Sequence, residues 1–251
     1  MRLRQIALVA RELEPVVDDL CAVLGLEVCY RDPGVATFGL HNALMAIGTS
    51  FLEVVSPTRE GTTAGRLLER RGGDGGYMVI VQTDELEADT KRVAELGIRV
   101  VWQAKLEKAA TIHLHPRDVG AAIVSLDAMD PPESWLWAGP KWQQHVKTDV
   151  TRALVGAEMQ APEPAQLAAR WGQVFAREPQ PHGDGSVALP LDYGTLRFVP
   201  ARDGRGEGVG GIDVAVADRE AVLARAKARR VPVHRDAIEI CGTRIRLVEE
   251  R

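Results

Sequence analysis

The sequence is poor in cysteine. Cys21, Cys29 and Cys241 are odd in number and widely spaced, and no CxxC pair occurs, which excludes a disulfide framework and a thiolate zinc site. Cys21 falls inside a helical pattern and reads as a small core residue. Long apolar runs are also missing, since none approaches the roughly 18 residues of a membrane span. Residues 1–13 carry three arginines and a glutamate where a secretory signal would be apolar, so a cytoplasmic protein without a membrane partner is expected. Nor does positive charge dominate: a formal net charge of -4 argues against nucleic acid as a partner. The basic run "RAKARR" sits at the end of a helical pattern, where cations complement the helix dipole. The glycine-rich "GRGEGVGG" precedes a strand instead of following one, so it reads as a loop and not as a dinucleotide fingerprint.

What is present is a repeat. The 251 residues, 45% hydrophobic and 26% charged, describe a soluble globular chain with room for two domains. Residues 2–10 alternate and are rich in Ile, Leu and Val, as a strand is. Residues 13–24 carry apolar side chains at helical spacing and stop at Gly25. Strands are expected over 27–31, 36–47 and 50–56, separated by "DPG" and "GTS" turns. A short helix over 62–71 leads into "GGDGG", and the order then starts again. A strand at "YMVIVQT" is followed by a helix over 85–96 and by strands over 100–103, 110–115 and 121–126. Gln5 aligns with Met78 and Glu53 with Ser125 at a nearly constant offset, the mark of a tandem repeat. Two degraded copies follow, over 151–200 and 211–249. Between the halves, "PPESWLWAGPKW" breaks any regular element, while Trp135, Trp137 and Trp142 make it too apolar for a free tether. The expected organisation is α+β, with a first domain over 1–129, a Trp- and Pro-rich linker over 130–148 and a second domain over 149–251.

The stretch "TSFLEVVSP", residues 49–57, puts a carboxylate into a strand that otherwise reads as core. Alternation turns Phe51, Glu53 and Val55 to one face. A buried, unpartnered carboxylate costs several kcal/mol or shifts its pKa. Glu53 therefore requires a metal, an arginine or a bound ligand, unless the strand is an edge and Glu53 stands in water.

Four βαβββ units, with "VARELEP" ending a first strand, "FLEVVSP" as a fourth strand and an "HPRDVGAAIVSL" hairpin, resemble the vicinal oxygen chelate superfamily. That group includes glyoxalase I, methylmalonyl-CoA epimerase, extradiol dioxygenases and bleomycin-resistance proteins. The resemblance implies that units pair into two half-open sheet cups, with a divalent metal held by residues of the first and fourth strands. Gln5 and Glu53 take those places in the first unit. Met78 and Ser125 take them in the second, where a thioether and a neutral hydroxyl are poor ligands for hard ions.

Two functions follow from the resemblance. In the first, Gln5 and Glu53 hold Mg, Mn, Ni, Zn or Fe for isomerase, lyase or dioxygenase-like chemistry. In the second, the first cup binds or sequesters a small oxygenated molecule without metal, in the manner of bleomycin-resistance proteins. His41 and His113 are candidates to complete a metal site on Glu53, or to line the cup as polar wall groups, and His113 is a candidate general base beside it. His115 shares a strand face with His113. Gln5, His41, Tyr77, Met78, Trp102 and Ser125 are the ligand-binding candidates, with Phe38 as a further apolar wall. In the second domain the corresponding places are Gly156, Arg197, Gly211 and Arg246, which offer no metal ligand. The two arginines face a bound anion, or else reach out to solvent or to internal acids such as Asp213 or Glu239. Four units in one chain build two cups in a monomer, and a homodimer through a sheet edge is the other arrangement.

Overall fold

The structure, a computed structural model, describes residues 1–182 and 184–249. The first quarter of the chain shows how the sequence specifies its repeating plan. The strand β1 (Arg2–Val9) is buried along nearly its whole length. Helix α1 (Leu13–Leu24) buries Leu13, Val17, Leu20, Val23 and Leu24 as one stripe and stops at Gly25, whose φ of 69° is the left-handed cap favoured by glycine. Three strands follow: β2 (Val28–Tyr30), β3 (Leu40–Ile47) and β4 (Ser50–Pro57). β1 pairs parallel with β4, β4 antiparallel with β3, and β3 antiparallel with β2.

The plan recurs three times. After helix α2 (Thr63–Arg71), the second copy is β5 (Gly75–Gln82), helix α3 (Leu86–Glu95), β6 (Val100–Lys105), β7 (Ala109–Leu114), the short helix α4 (Pro116–Val119) and β8 (Ile123–Met129). The third is β9 (Thr151–Ala161), helix α5 (Pro164–Phe175), β10 (Gln180–Pro181), β11 (Val187–Pro190) and β12 (Thr195–Pro200). The fourth is β13 (Gly208–Val216), helix α6 (Arg219–Ala228), β14 (Val233–His234), β15 (Ala237–Ile240) and β16 (Thr243–Glu249). Each copy pairs its first strand parallel with its last. The result is α+β, with two eight-stranded sheets, one of β1–β8 and one of β9–β16. The two-residue strands β10 and β14 complete the later copies, and neither is expected from a pattern so short.

One strand, expected over 36–47, starts later. Residues 33–38 form a 3-10 turn, and β3 begins only at Leu40. The Asp32 carboxylate accepts from the Gly34 N–H at 2.8 Å, Pro33 opens the turn, and Gly39 closes it with φ 70°. A Cβ on Gly39 would lie 2.9 Å from the methyl carbon of the buried Thr62, so the position favours glycine for space as well as for conformation.

Contacts divide the chain into two compact units. One comprises residues 5–77, 137–155 and 210–251, and so contains the first and fourth copies. Within it α1 packs on α6, where Arg229 Nε donates to Asp19 Oδ1 at 2.7 Å. The other comprises residues 1–4, 78–136 and 156–209, with the second and third copies. Within it α3 and α4 pack on α5, and Arg92 Nε and Arg170 Nε donate to the Val174 and Asp118 carbonyls at 3.0 and 2.9 Å. The core of this second unit includes Trp171, which meets Phe175 and Phe198 edge-on at 5.7 and 5.6 Å between ring centroids. Among the described residues no helix is long and apolar enough to cross a membrane.

Candidate functional site

Glu53 is central to the unit of the first and fourth copies. β4 carries Phe51, Glu53 and Val55 on one face, and register brings them level with Gln5, Ala7 and Val9 of β1 and with Ala46, Leu44 and Asn42 of β3. Ala7 lies directly opposite Glu53 and extends only a methyl group. Gln5, two residues earlier on the same face, therefore reaches the carboxylate diagonally. Its Nε2 donates to Glu53 Oε2 at 2.8 Å. From the other side Asn42 Nδ2 donates to Glu53 Oε1 at 2.6 Å. Glu53 is 7% exposed, and Gln5 and Asn42 are buried with it.

These amides stabilise a carboxylate that burial opposes. Loss of water pushes the Glu53 carboxyl above the ordinary carboxylate range. The hydrogen bonds from Asn42 and Gln5 pull it back, and the charge of Asp32 adds to the rise. Tyr77 belongs to the same unit and is buried. Its phenol is pushed up to about 12, first by burial and then by the negative charge of Glu53, with Arg66 opposing. Phe51 is fully buried and meets Trp142 edge-on at 5.0 Å between ring centroids. Trp142 opens the 3-10 turn Trp142–His145, so part of the linker packs against the face that carries Glu53. His145 Nδ1 and Glu27 Oε1 lie 2.6 Å apart, and Lys147 Nζ pairs with Glu27 Oε2 at 3.3 Å, which ties the segment down beyond the tryptophan.

His41 is exposed and pairs with Ser56, so it lies on the opposite face of β3 from Glu53. The neighbouring Asn42 is the polar residue turned to the carboxylate. Its position follows from strand phase: if the "GTS" turn sets Leu44 opposite Glu53, Asn42 shares their face. Phe38 is 39% exposed in the 3-10 turn before β3.

The remaining candidates belong to the unit of the second and third copies. Trp102, His113 and Ser125 form one cross-strand row over β6, β7 and β8. The Trp102 and His113 rings are 4.6 Å apart between centroids. Burial pushes the His113 imidazole down to about 4, so it is neutral at pH 7. His115 caps α4, accepting from the Arg117 N–H through Nδ1 at 3.1 Å. Met78 pairs with Ile123 on the His113 face and is half-buried. The Ser125 hydroxyl is used internally: it donates to Asp127 Oδ1 and lies 2.9 Å from Thr111 Oγ1. Asp127 and Thr111 are therefore buried polar residues of this face that sequence reasoning missed. A crevice of about 280 Å³ in this unit is lined by Arg2, Gln82, Asp84, Glu133 and Tyr193 and by none of the candidate side chains.

The donor set does not fit the divalent metal that the resemblance implies. Around Glu53 the nearest side-chain partners present N–H groups, not oxygen, to the carboxylate. Among the described residues no group of three or more His, Cys, Asp or Glu side chains is arranged to hold a metal ion. The second sheet has ion pairs at the corresponding places. Arg197 pairs with Glu158 at 2.9 Å in one unit, and Arg246 pairs with Asp213 at 2.9 Å in the other, so both arginines are balanced by acids of the chain itself.

Comparison with known proteins decides the family. The model of the family described as Glyoxalase-like domain matches residues 6–175, well over half of the chain. The chain belongs to this glyoxalase-like family. Its fold agrees over its full length with a solved structure of a hypothetical protein from Staphylococcus aureus, at 15% identity, 99% coverage of both chains and a TM-score of 0.67. A Streptomyces coelicolor methylmalonyl-CoA epimerase solved with 2-nitronate-propionyl-CoA is 24% identical over 54% of this chain and 99% of its own, with a TM-score of 0.48. The Mycobacterium tuberculosis methylmalonyl-CoA epimerase is 19% identical over 51% of this chain and 87% of its own, with a TM-score of 0.46. No curated protein matches the sequence.

Proposed function

We propose that this glyoxalase-like protein binds a small, neutral, oxygenated organic molecule through Glu53, which accepts a hydrogen bond from a ligand hydroxyl. The observation that carries the reading is a buried carboxylate held at both oxygens by side-chain amides. Such an acceptor is oriented before a ligand arrives, so little ordering accompanies binding. Its negative charge favours a hydroxyl donor over an acidic ligand, and Phe51 with Trp142 supplies apolar surface beside it. Metal-free recognition of this kind corresponds to the binding or sequestering role of bleomycin-resistance proteins.

Catalysis is the second reading, and the raised Glu53 carboxyl favours it. A carboxylate with a raised pKa is a stronger base, as an isomerase or lyase acting on a carbon acid requires. Under this reading Glu53 takes the proton, and Gln5 and Asn42 hold its orientation.

The test is a thermal-shift screen of phenols, catechols and hydroxyketones against the wild type and Glu53→Gln. A ligand that stabilises the wild type is expected to bind Glu53→Gln at least about tenfold more weakly, as loss of a hydrogen bond to a charged acceptor implies. Equal binding to both forms would contradict the proposed role of Glu53.

A further inference from the structure

We infer that the Asn42 amide stands where a cation would approach Glu53, so that this face recognises its ligand by hydrogen bonding and not through a divalent metal. This rests on the proposed role of Glu53 as the ligand contact. The direction in which the Asn42 amide points is decisive. Its oxygen accepts from the Asp32 backbone N–H at 2.8 Å. A backbone N–H can only donate, so the atom facing it is the oxygen, and Nδ2 is left to face Glu53 Oε1. The orientation is thus set by the main chain just before the 33–38 turn and does not depend on the charge of Glu53.

Gln5 reinforces the arrangement. A carboxylate only accepts, so the Gln5 atom 2.8 Å from Oε2 is the amide nitrogen. To share a cation with Glu53, Gln5 would have to turn its oxygen inward and give up this hydrogen bond, while Asn42 would still direct N–H at the carboxylate. Both partners are buried, so neither rearranges into bulk water. Asn42 is therefore a positioning residue: it fixes Glu53 as an acceptor and links it to the segment that carries Phe38.

The inference is tested on the full chain by titrating Mn²⁺ into the wild type, Asn42→Asp, Asn42→Ser and the double variant Asn42→Asp with Glu53→Gln, with binding followed by water-proton relaxation. Asn42→Asp replaces the N–H donor with an oxygen ligand beside Glu53 and is expected to bind Mn²⁺ at least tenfold more tightly than the wild type. Adding Glu53→Gln is expected to abolish the gain. Should Asn42→Asp not fold, Asn42→Ser removes the amide without adding charge, and a gain in Mn²⁺ affinity over the wild type is still expected. Stoichiometric Mn²⁺ on the wild type, or no gain in whichever variant folds, would overturn the inference. A gain on Asn42→Asp combined with ligand binding indifferent to Glu53→Gln would keep the exclusion of the cation by Asn42 and overturn the ligand-contact reading on which the rest of the inference stands.

Discussion

Lowering the pH from 7 to 4 is expected to cost the protein about 3 kcal/mol of stability through His113, measured as a fall in the urea midpoint. The His113 ring lies tilted against Trp102, and burial holds its imidazole at about 4 against the usual 6.5. A base whose folded-state pKa is depressed contributes its full stability above the unfolded value and loses it as pH falls through the folded value. The loss should therefore develop between about pH 6.5 and 4. Glu53 works with the opposite sign. Its carboxyl is raised in the fold, so its contribution is present below the ordinary carboxylate pKa and is lost as pH rises. The two effects partly offset each other in the wild type, and His113→Phe isolates the first. That variant keeps a ring against Trp102, and its urea midpoint is expected to fall less between pH 7 and 4. An equal fall in both forms would show that His113 is not held neutral by the fold.

The second large effect is expected from Trp142→Ala. Trp142 is 7% exposed and meets a fully buried Phe51 edge-on, on the face that carries Glu53. Truncating a buried tryptophan removes its transfer free energy and leaves a cavity, a loss of roughly 3–5 kcal/mol, to which the ring pairing adds about 1 kcal/mol. Trp142→Phe should recover most of it. Urea denaturation of the three forms checks both expectations, and a loss under about 1 kcal/mol in Trp142→Ala would mean that the linker is not fastened to this face. The linker would then be a tether, and Glu53 would be far more accessible.

The fold is more legible in the sequence than the site is. The fourfold plan was readable because helical stripes, glycine caps and alternating strands recur in one order, and each is a local signal. The stripe from Leu13 to Leu24 ending at Gly25 is an example. The strand expected over 36–47 starts only at Leu40 because a main-chain turn, capped by Asp32 and closed by Gly39, leaves little mark on hydrophobic pattern. Glu53 was identifiable as a charge out of place, whereas its partners were chosen by chemical type. Imidazole drew attention to His41, yet strand phase turns Asn42 to the carboxylate. Ser125 has the chemistry of a weak ligand, and its hydroxyl donates to Asp127 two residues along the same strand. For Asn42, pairing across strands decides the matter, and only register supplies it.

The measurement that tests the account most directly is a ¹H–¹⁵N spectrum of the side-chain amides, recorded for the wild type and Glu53→Gln. The account predicts that the Gln5 and Asn42 NH₂ pairs are displaced from the solvent-exposed position and exchange slowly with water, because each donates to a buried carboxylate. In Glu53→Gln both pairs should move. Solvent-like amide resonances that ignore the substitution would contradict the central claim that Glu53 is a carboxylate held by two amides.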